Sequence, residues 1–347
     1  MVLLLFCSFV ALLFLGGGAL YFTQNGTRLL QGALGVSPPP EASPTPLPAT
    51  PSPAKEVQLF IEGKESPVDF LAERLPVLTP DPERKSHPVQ ETLCLGGKPT
   101  DNFFVNDTSD TDLDLAAEAA KALPFQVEDF SQPTVLLYHT HSCEGYKESF
   151  TGFYYTDDSC RSSDPEKNVS VVGEAMKAAL EERGIGVIHD TTIHDSPAFN
   201  GAYYRSMDTV NAYLTEYPSI RVTIDLHRDS MTTDEGLSYK PTLAVEGKKA
   251  AQIMIITGSD PTGELEFPSW QENLIFALKL QKKSADLYPD LMRPLMFCQR
   301  VYNMNATNAS LIFEVGTEMN TIAEAKYSGK LMGGVLGDVL RENNGES

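Results

Sequence analysis

Two histidines and two glutamates in this sequence follow short, mainly apolar runs of residues. His141 and Glu144 come soon after residues 135–137, His227 follows residues 224–226, and Glu314 follows residues 311–313. The catalytic zinc of a hydrolase usually takes three ligands from His and Glu or Asp and leaves a fourth position for water. We therefore predict a zinc site formed by His141, Glu144 and His227. Glu314 is then the predicted general base.

Nearby residues offer alternatives for the same roles. His139 competes with His141 for the ligand role, because side chains two positions apart in a strand point the same way. Both could face the metal, or one of them could lie behind the ligands and support them. Asp164, just before a predicted helix, is a further candidate carboxylate. His189 and His194 lie near the end of the next strand, and we interpret them as rim or substrate-facing residues.

Arg228 is the second predicted catalytic residue. It could hold a substrate carboxylate or polarise a carbonyl group, because a guanidinium offers several directed N–H donors. The alternative is an ion pair with Glu314, since a carboxylate at the end of a buried strand is costly unless it is paired or used. Asp225 or Asp229 could orient the second ring nitrogen of His227.

The elements that must position these residues alternate between strands and helices from residue 134 onward. Unbroken apolar runs indicate strands that are buried on both faces, which is typical of a parallel sheet covered by helices. The carboxyl ends of such strands meet at one edge, where open α/β sheets carry their chemistry. The predicted fold class is therefore α/β, a three-layer α/β/α domain with a mainly parallel sheet. Strands are predicted at 134–141, 185–188, 222–226, 251–256 (with 243–245 as a hairpin partner), 295–301 and 311–315, and helices at 113–123, 169–183, 203–217, 270–288 and 321–340.

The first 130 residues divide into three predicted segments. Residues 1–24 are an N-terminal transmembrane anchor or signal, since residues 2–22 are almost wholly apolar and about long enough to cross a bilayer. An uncleaved anchor is favoured over a cleaved signal, because no basic residue precedes the apolar run. Residues 25–55 form a Pro-rich spacer, residues 56–130 a poorly structured or accessory region, and residues 131–347 the catalytic domain. Both an uncleaved anchor and a cleaved signal would place the catalytic domain outside the cytoplasm.

Charge and cysteine content exclude several classes of function. The formal net charge of −20 argues against nucleic-acid binding, which requires clustered basic residues. The five cysteines show no CxxC spacing, so the sequence supports neither a zinc ribbon nor a redox motif. Cys143 and Cys160 could form a disulfide across the loop after the first strand.

Several short motifs, taken together and in order, resemble the stage II sporulation protein P family over roughly residues 103–339. They are residues 138–144 (YHTHSCE), 200–203 (NGAY), 225–229 (DLHRD), 270–273 (WQEN) and 313–316 (FEVG), with Asn320. The N-terminal anchor and spacer also suit that family. By this resemblance the family's functional residues are carried over onto His139, His141, Glu144, His227 and Glu314.

The resemblance implies a membrane-anchored peptidoglycan hydrolase. Its expected activity is that of a zinc-dependent N-acetylmuramoyl-L-alanine amidase, with endopeptidase activity in addition, acting during engulfment of the forespore. It also implies a fold akin to zinc-dependent cell-wall amidases. Sporulation protein D, a lytic transglycosylase, and sporulation protein M are the expected partners. The expected location is the cell membrane, with a single span and the catalytic domain in the intermembrane space of the sporulating cell.

Two other functions are compatible with the same residues. A zinc carboxypeptidase acting on wall peptides would also suit the order His, Glu, His. The alternative that is not an enzyme is a non-catalytic domain that binds the cell wall as a scaffold. The intact set of His141, Glu144, His227 and Glu314 argues against this alternative. The chemical ends released from peptidoglycan distinguish the three.

Overall fold

The computed structural model describes residues 78–346. The predicted anchor (1–24) and spacer (25–55) lie outside the described residues. Among residues 78–346, no helix has both the length and the apolar character that a bilayer-spanning segment needs. The described strands are β1 Ser86–Thr92, β2 Lys98–Thr100, β3 Phe103–Thr108, β4 Pro133–Tyr138, β5 Phe153–Tyr155, β6 Gly186–His189, β7 Val222–Asp229, β8 Ser238–Val245, β9 Lys248–Ala251, β10 Ile253–Gly258, β11 Leu295–Cys298 and β12 Ser310–Thr317.

Five helices accompany these strands: α1 Leu115–Ala120, α2 Ser170–Glu181, α3 Ala202–Glu216, α4 Trp270–Leu287 and α5 Ile322–Asn343. Each overlaps a predicted helix. The last helix begins where its sequence dictates, because the Thr321 side chain accepts the N–H of Glu324 while the Glu324 carboxylate accepts the N–H of Thr321. This capping box satisfies two backbone donors that the first turn would otherwise leave unpaired.

The main sheet has eight strands in the order β2-β3-β11-β10-β12-β7-β4-β6. β12, β7, β4 and β6 are mutually parallel, and so are β3, β11 and β10. The two parallel groups meet in an antiparallel pair, β10 with β12, and β2 is antiparallel to β3. The predicted mainly parallel sheet is therefore confirmed. The carboxyl ends of β4, β7 and β12 lie at one edge, as the site requires.

Alternation of side chains along β4 shows how the layers are built. Val135 and Leu137 join the large core formed with α2, α4 and α5 on one face of the sheet. Leu136 and Tyr138 pack on the other face with Val210 of α3. Because both faces are covered, the strands carry apolar side chains on both sides, which is why their sequences show no polar alternation. The predicted α/β/α layering is confirmed.

A second, smaller sheet has the order β5-β1-β8-β9. It corrects two predictions. The hairpin partner of residues 243–245 is β9 (Lys248–Ala251), whereas β10 pairs with β11 and β12 in the main sheet. Of the two descriptions predicted for residues 56–130, poorly structured does not hold for residues 86–108, since β1 joins this second sheet and β2 and β3 join the main one. These short, partly polar strands gave no clear periodicity in the sequence. The accessory description stays a prediction.

Candidate active site

The ends of β12 and β7 bring two predicted site residues side by side. Glu314 and His227 are partners in the parallel register of these strands. Their chain neighbours Phe313 and Leu226 belong to the core beneath α2, α4 and α5. Since successive side chains point to opposite faces, Glu314 and His227 lie on the other face, the one that α3 covers.

His227 lies between two carboxylates. Its Nδ1 is 3.4 Å from Oε2 of Glu144, and its Nε2 is 3.0 Å from Oδ1 of Asp225. The second contact is not aligned as a hydrogen bond, so Nε2 has no hydrogen-bond partner among residues 78–346. Burial opposes a charge on the ring, but Asp225 and Glu144 outweigh it and raise the pKa of His227 well above its usual value.

Asp225 is fixed in its place by Thr140. The Thr140 N–H donates to Oδ1 at 2.8 Å, and the Thr140 hydroxyl donates to Oδ2 at 2.6 Å. Burial raises the pKa of this carboxyl, but the neighbouring His227 and the Thr140 donors lower it by more, so the net shift is downward. Of the two aspartates predicted as partners of His227, Asp225 is therefore the one in contact. Asp229 instead accepts a hydrogen bond from Arg293 at 2.8 Å.

Glu144 reaches the site because the chain turns back after β4. Its N–H donates to the carbonyl of His141 at 3.0 Å, which closes a turn of one H-x-x-E unit. Its Oε2 accepts the backbone N–H of Arg228 at 3.1 Å. Burial opposes the charge on Glu144, yet the contacts with His227 and the charge of Arg228 lower its pKa to about 2. The carboxylate is therefore held ionised against His227.

The imidazole of His141 stands across from that of His227. The ring centroids are 5.2 Å apart and the planes nearly perpendicular, at 86°. Phe199 stacks on the His141 ring with a centroid separation of 4.1 Å, and Tyr203 meets it edge-on at 5.5 Å. Nδ1 is buried and has no hydrogen-bond partner in the described chain. Burial, followed by the charge of His227, lowers the pKa of His141 to about 4, so the ring is neutral and its lone pair can serve as a ligand.

Glu314 is partly covered, and its Oε2 is inaccessible and without a hydrogen-bond partner among the described residues. Burial raises its pKa to about 8; nearby Asp229 and Glu144 act in the same direction, and His227 opposes them. A carboxyl left unpaired at the end of a buried strand is costly. Its position one strand from His227 accords with the role predicted for it.

Arg228 does not face the site, contrary to its prediction as a catalytic residue. β7 continues to Asp229, so Arg228 points to the opposite face from His227. Its guanidinium donates to the carbonyls of Gly145 and Cys160 at 3.1 and 2.9 Å. Its carboxylate neighbour is Glu318, at 3.7 Å, rather than Glu314. Arg228 therefore holds the loop that carries Glu144.

His139 is separated from His141, so the expectation that both could face a metal is wrong. That expectation required the strand to continue, but β4 ends at Tyr138. Both ring nitrogens of His139 are engaged, Nδ1 with the carbonyl of Leu226 at 3.1 Å and Nε2 with Nε2 of His189 at 2.9 Å. His139 therefore supports the strand ends from within the core.

The remaining predicted candidates also lie outside the site. His189 contacts His139 and Glu174, and His194 is bonded through both ring nitrogens to the His139 carbonyl and the Thr209 hydroxyl, so neither is a rim residue. Asp164 is exposed and accepts the N–H of Glu166 in a local turn. Cys143 and Cys160 are both free thiols in the described structure, so the possible disulfide between them is not formed.

The donor types at the site fit zinc. The separation of 3.4 Å between Nδ1 of His227 and Oε2 of Glu144 equals the roughly 3.4 Å between two ligands of one tetrahedral zinc. Nδ1 of His141 is a buried nitrogen without a partner in residues 78–346. Across the same residues, however, no three His, Cys, Asp or Glu side chains already converge as a complete metal site. The structure brings the three predicted ligands together without closing the site around one point.

Three further residues at the site were not singled out as functional in the sequence. Thr140 positions Asp225 and lies within the motif that contains His141. Tyr203 stacks with His227 and with Tyr302, at centroid separations of 6.4 and 5.5 Å; it belongs to the NGAY motif, which was the available signal. Phe199 has no such signal, because a lone aromatic residue in a polar loop is common.

A family model described as stage II sporulation protein P matches residues 82–337, well over half of the chain. The chain belongs to this family. The match begins before β1 and ends within α5, so it contains both sheets and all the residues of the candidate site. No curated protein matches the sequence significantly.

The chain is also similar to solved structures of three amidases. The chain is similar to the CwlD amidase from Clostridioides difficile in complex with the GerS lipoprotein, at 11% identity and a TM-score of 0.36, covering 62% of this chain and 99% of that one. An N-acetylmuramoyl-L-alanine amidase from Clostridium difficile 630 shares 13% identity at a TM-score of 0.33, covering 62% and 95%. Ami1 from Mycobacterium smegmatis shares 12% at 0.34, covering 61% and 100%. These scores are too low to bear on activity.

Proposed function

We propose that this protein is a peptidoglycan hydrolase that cleaves the amide bond between N-acetylmuramic acid and L-alanine. One observation carries the proposal: in a chain of the stage II sporulation protein P family, His141, His227, Glu144 and the unpaired Glu314 meet on one face of the sheet edge. Amide hydrolysis needs an activated water and a group that moves its proton to the leaving amine. The donor set and Glu314 can supply both.

His141, Glu144 and His227 would hold a zinc ion in this proposal. When bound, zinc lowers the pKa of a coordinated water and polarises a carbonyl group. Asp225, fixed by Thr140, lies 3.0 Å from Nε2 of His227, where its charge would help to orient the ring. Glu144 is held ionised by its contacts with His227 and the Arg228 backbone.

Glu314 would act as the general base and then as the general acid. In the metal-free protein burial raises the pKa of Glu314 to about 8. The positive charge of a bound zinc ion would lower this pKa and favour the ionised form, which can accept a proton and return it. Oε2 of Glu314 is inaccessible, which keeps bulk water away from that atom. Glu314 would take the proton of the attacking water and deliver it to the nitrogen of L-alanine.

The cellular setting of the proposal follows from the family and from the N-terminal sequence. The apolar residues 2–22 and the Pro-rich spacer support a single membrane anchor with the catalytic domain outside the cytoplasm. We include in the proposal a role in engulfment during sporulation, endopeptidase activity, and partnership with sporulation proteins D and M. These are the properties that the family resemblance implies.

Incubation of the purified protein with peptidoglycan, followed by identification of the released ends, tests the proposal. New free amino groups on L-alanine are the expected product. Release of C-terminal amino acids would instead identify a carboxypeptidase. Binding to peptidoglycan without release of any end would identify a scaffold. Hydrolysis of peptide cross-links in addition to the amide would establish the endopeptidase activity.

A further inference from the structure

An exposed aromatic ring lies directly against the site. Phe199 is 54% exposed, and its ring is nearly parallel to that of His141, with 9° between the planes. Full burial of a phenyl group stabilises a fold by about 1.5–3 kcal/mol. Phe199 gives up much of that stabilisation, and one face of its ring is covered by the imidazole of His141.

The loop between β6 and α3 is built to hold Phe199 there. The carbonyls of Ala198 and Asn200, on either side of it, both accept hydrogen bonds from the guanidinium of Arg205. Nε of Arg205 also donates to the carbonyl of His194 at 2.6 Å. Arg205 therefore fixes the backbone on both sides of Phe199.

Arg161 supplies a cation at the same place. Its Cζ lies 5.4 Å from the centroid of the Phe199 ring. Its Nη2 is bonded to the buried carboxylate of Asp195, which also accepts the N–H of Cys143. Asp195 thus fixes the direction of the guanidinium, while 41% of the Arg161 side chain stays exposed. In a chain with a net charge of −20, this places a positioned positive charge one stacked ring away from His141.

We propose that Arg161 and Phe199 form a subsite that recognises an anionic stem peptide. In this subsite Arg161 binds the α-carboxylate of the second residue of that peptide, counted from the scissile amide. This inference rests on the proposed amidase function. Two residues of extended peptide span about 7 Å, so the second stem residue lies past the scissile amide. Arg161 is a cation whose Cζ is 5.4 Å from the ring that stacks on His141. A guanidinium binds a carboxylate through two parallel N–H donors. Phe199 offers its edge to the apolar part of the same peptide.

The test compares the binding of two muropeptides that differ in one charge. N-acetylmuramoyl-L-alanyl-D-glutamate carries a free α-carboxylate on its second residue, and the D-isoglutamine analogue carries an amide there. Calorimetry is done with the full chain carrying Glu314→Gln, so that neither compound is consumed. We expect the carboxylate form to bind about tenfold more tightly, which is typical of one hydrogen-bonded charge. Adding Arg161→Met should abolish that preference.

Two further variants make the test independent of folding. Arg161→Lys keeps a charge for Asp195 but loses the planar fork, so the preference should fall to about threefold or less. Lys167→Met is the matched control: Lys167 lies nearby in the sequence, is half-exposed and is paired with Glu148 at 2.6 Å, and its loss should leave the preference unchanged. Thermal melting identifies variants that do not fold.

Equal binding of the two compounds when Arg161 is intact would overturn the subsite. So would a preference that survives in folded Arg161→Met or is undiminished in Arg161→Lys, or an absence of binding by either compound. Failure of the proposed function gives a different result: the native chain would then release no L-alanine amino groups from peptidoglycan, whatever the binding preference.

Discussion

The carboxyl of Glu314 makes the stability of the metal-free protein depend on pH in a specific direction. Its pKa rises from 4.5 to about 8 on folding. Between those values the folded state binds a proton that the unfolded state has released. The free energy of unfolding must therefore fall as the pH rises through this window, by at most about 1.4 kcal/mol per pH unit.

Glu314→Gln removes this dependence, because an amide cannot ionise. Between pH 5 and pH 7 the free energy of unfolding of the native protein should fall, relative to that of the variant, by at most about 3 kcal/mol. Since Glu314 is only partly covered, the observed difference should be somewhat smaller, at about 1–2 kcal/mol. Every other titrating group is common to both proteins, so the difference between them reports on Glu314 and on the groups that interact with its charge, His227 first among them.

Urea unfolding at pH 5, 6 and 7, with a chelator present, measures this difference. Glu264→Gln serves as the control, because Glu264 is exposed in a loop remote from the sheet edge, and it should follow the native protein at each pH. Parallel curves for the native protein and Glu314→Gln would show that Glu314 is ionised in the folded state. That result would refute the conclusion that burial keeps this carboxyl protonated near neutral pH.

Three other predictions follow from the contacts of the site. Asp225→Asn should weaken zinc binding about 10–100-fold, as loss of a carboxylate that orients a ligand usually does; competition with a chromogenic chelator measures it, and unchanged affinity would contradict the role of Asp225. Arg228→Met should lower the free energy of unfolding by about 3–5 kcal/mol, because it leaves the buried carboxylate of Glu318 and two loop carbonyls without this cation; an unchanged melting temperature together with lost turnover would instead assign Arg228 to catalysis. A chain that begins near residue 56 should hydrolyse soluble peptidoglycan at the rate of the full chain in detergent, because the anchor and spacer supply location and reach only; a folded but inactive truncation would contradict this.

The parts of the fold and site that could be predicted from the sequence are those that depend on burial. Short, mainly apolar runs mark β4, β7 and β12, and the ends of parallel strands must meet at one edge, so His141, His227 and Glu314 could be placed together. The choice between His139 and His141 depended on where β4 ends, which a run of apolar residues followed by two histidines does not show. Arg228 was misplaced for a related reason: the predicted strand stopped at residue 226, and only a strand continuing to Asp229 turns Arg228 away from His227.

Other features depend on contacts between distant parts of the chain. Asp225 and Asp229 both flank His227 in sequence, and only the hydrogen bonds from Thr140 and Arg293 distinguish them. Phe199 reaches His141 because Arg205 shapes its loop. Neither relation leaves a periodic pattern in the sequence.

The central claim, a zinc-dependent amidase centred on His141, Glu144 and His227, is tested most directly by returning zinc to metal-free protein. The measured quantity is the rate at which free amino groups of L-alanine appear in peptidoglycan as zinc is added. We expect the rate to rise from a very low value to a plateau at one zinc per chain, and His227→Ala to show no rise at the same concentrations. Full activity without metal, or a plateau that His227→Ala also reaches, would contradict the claim.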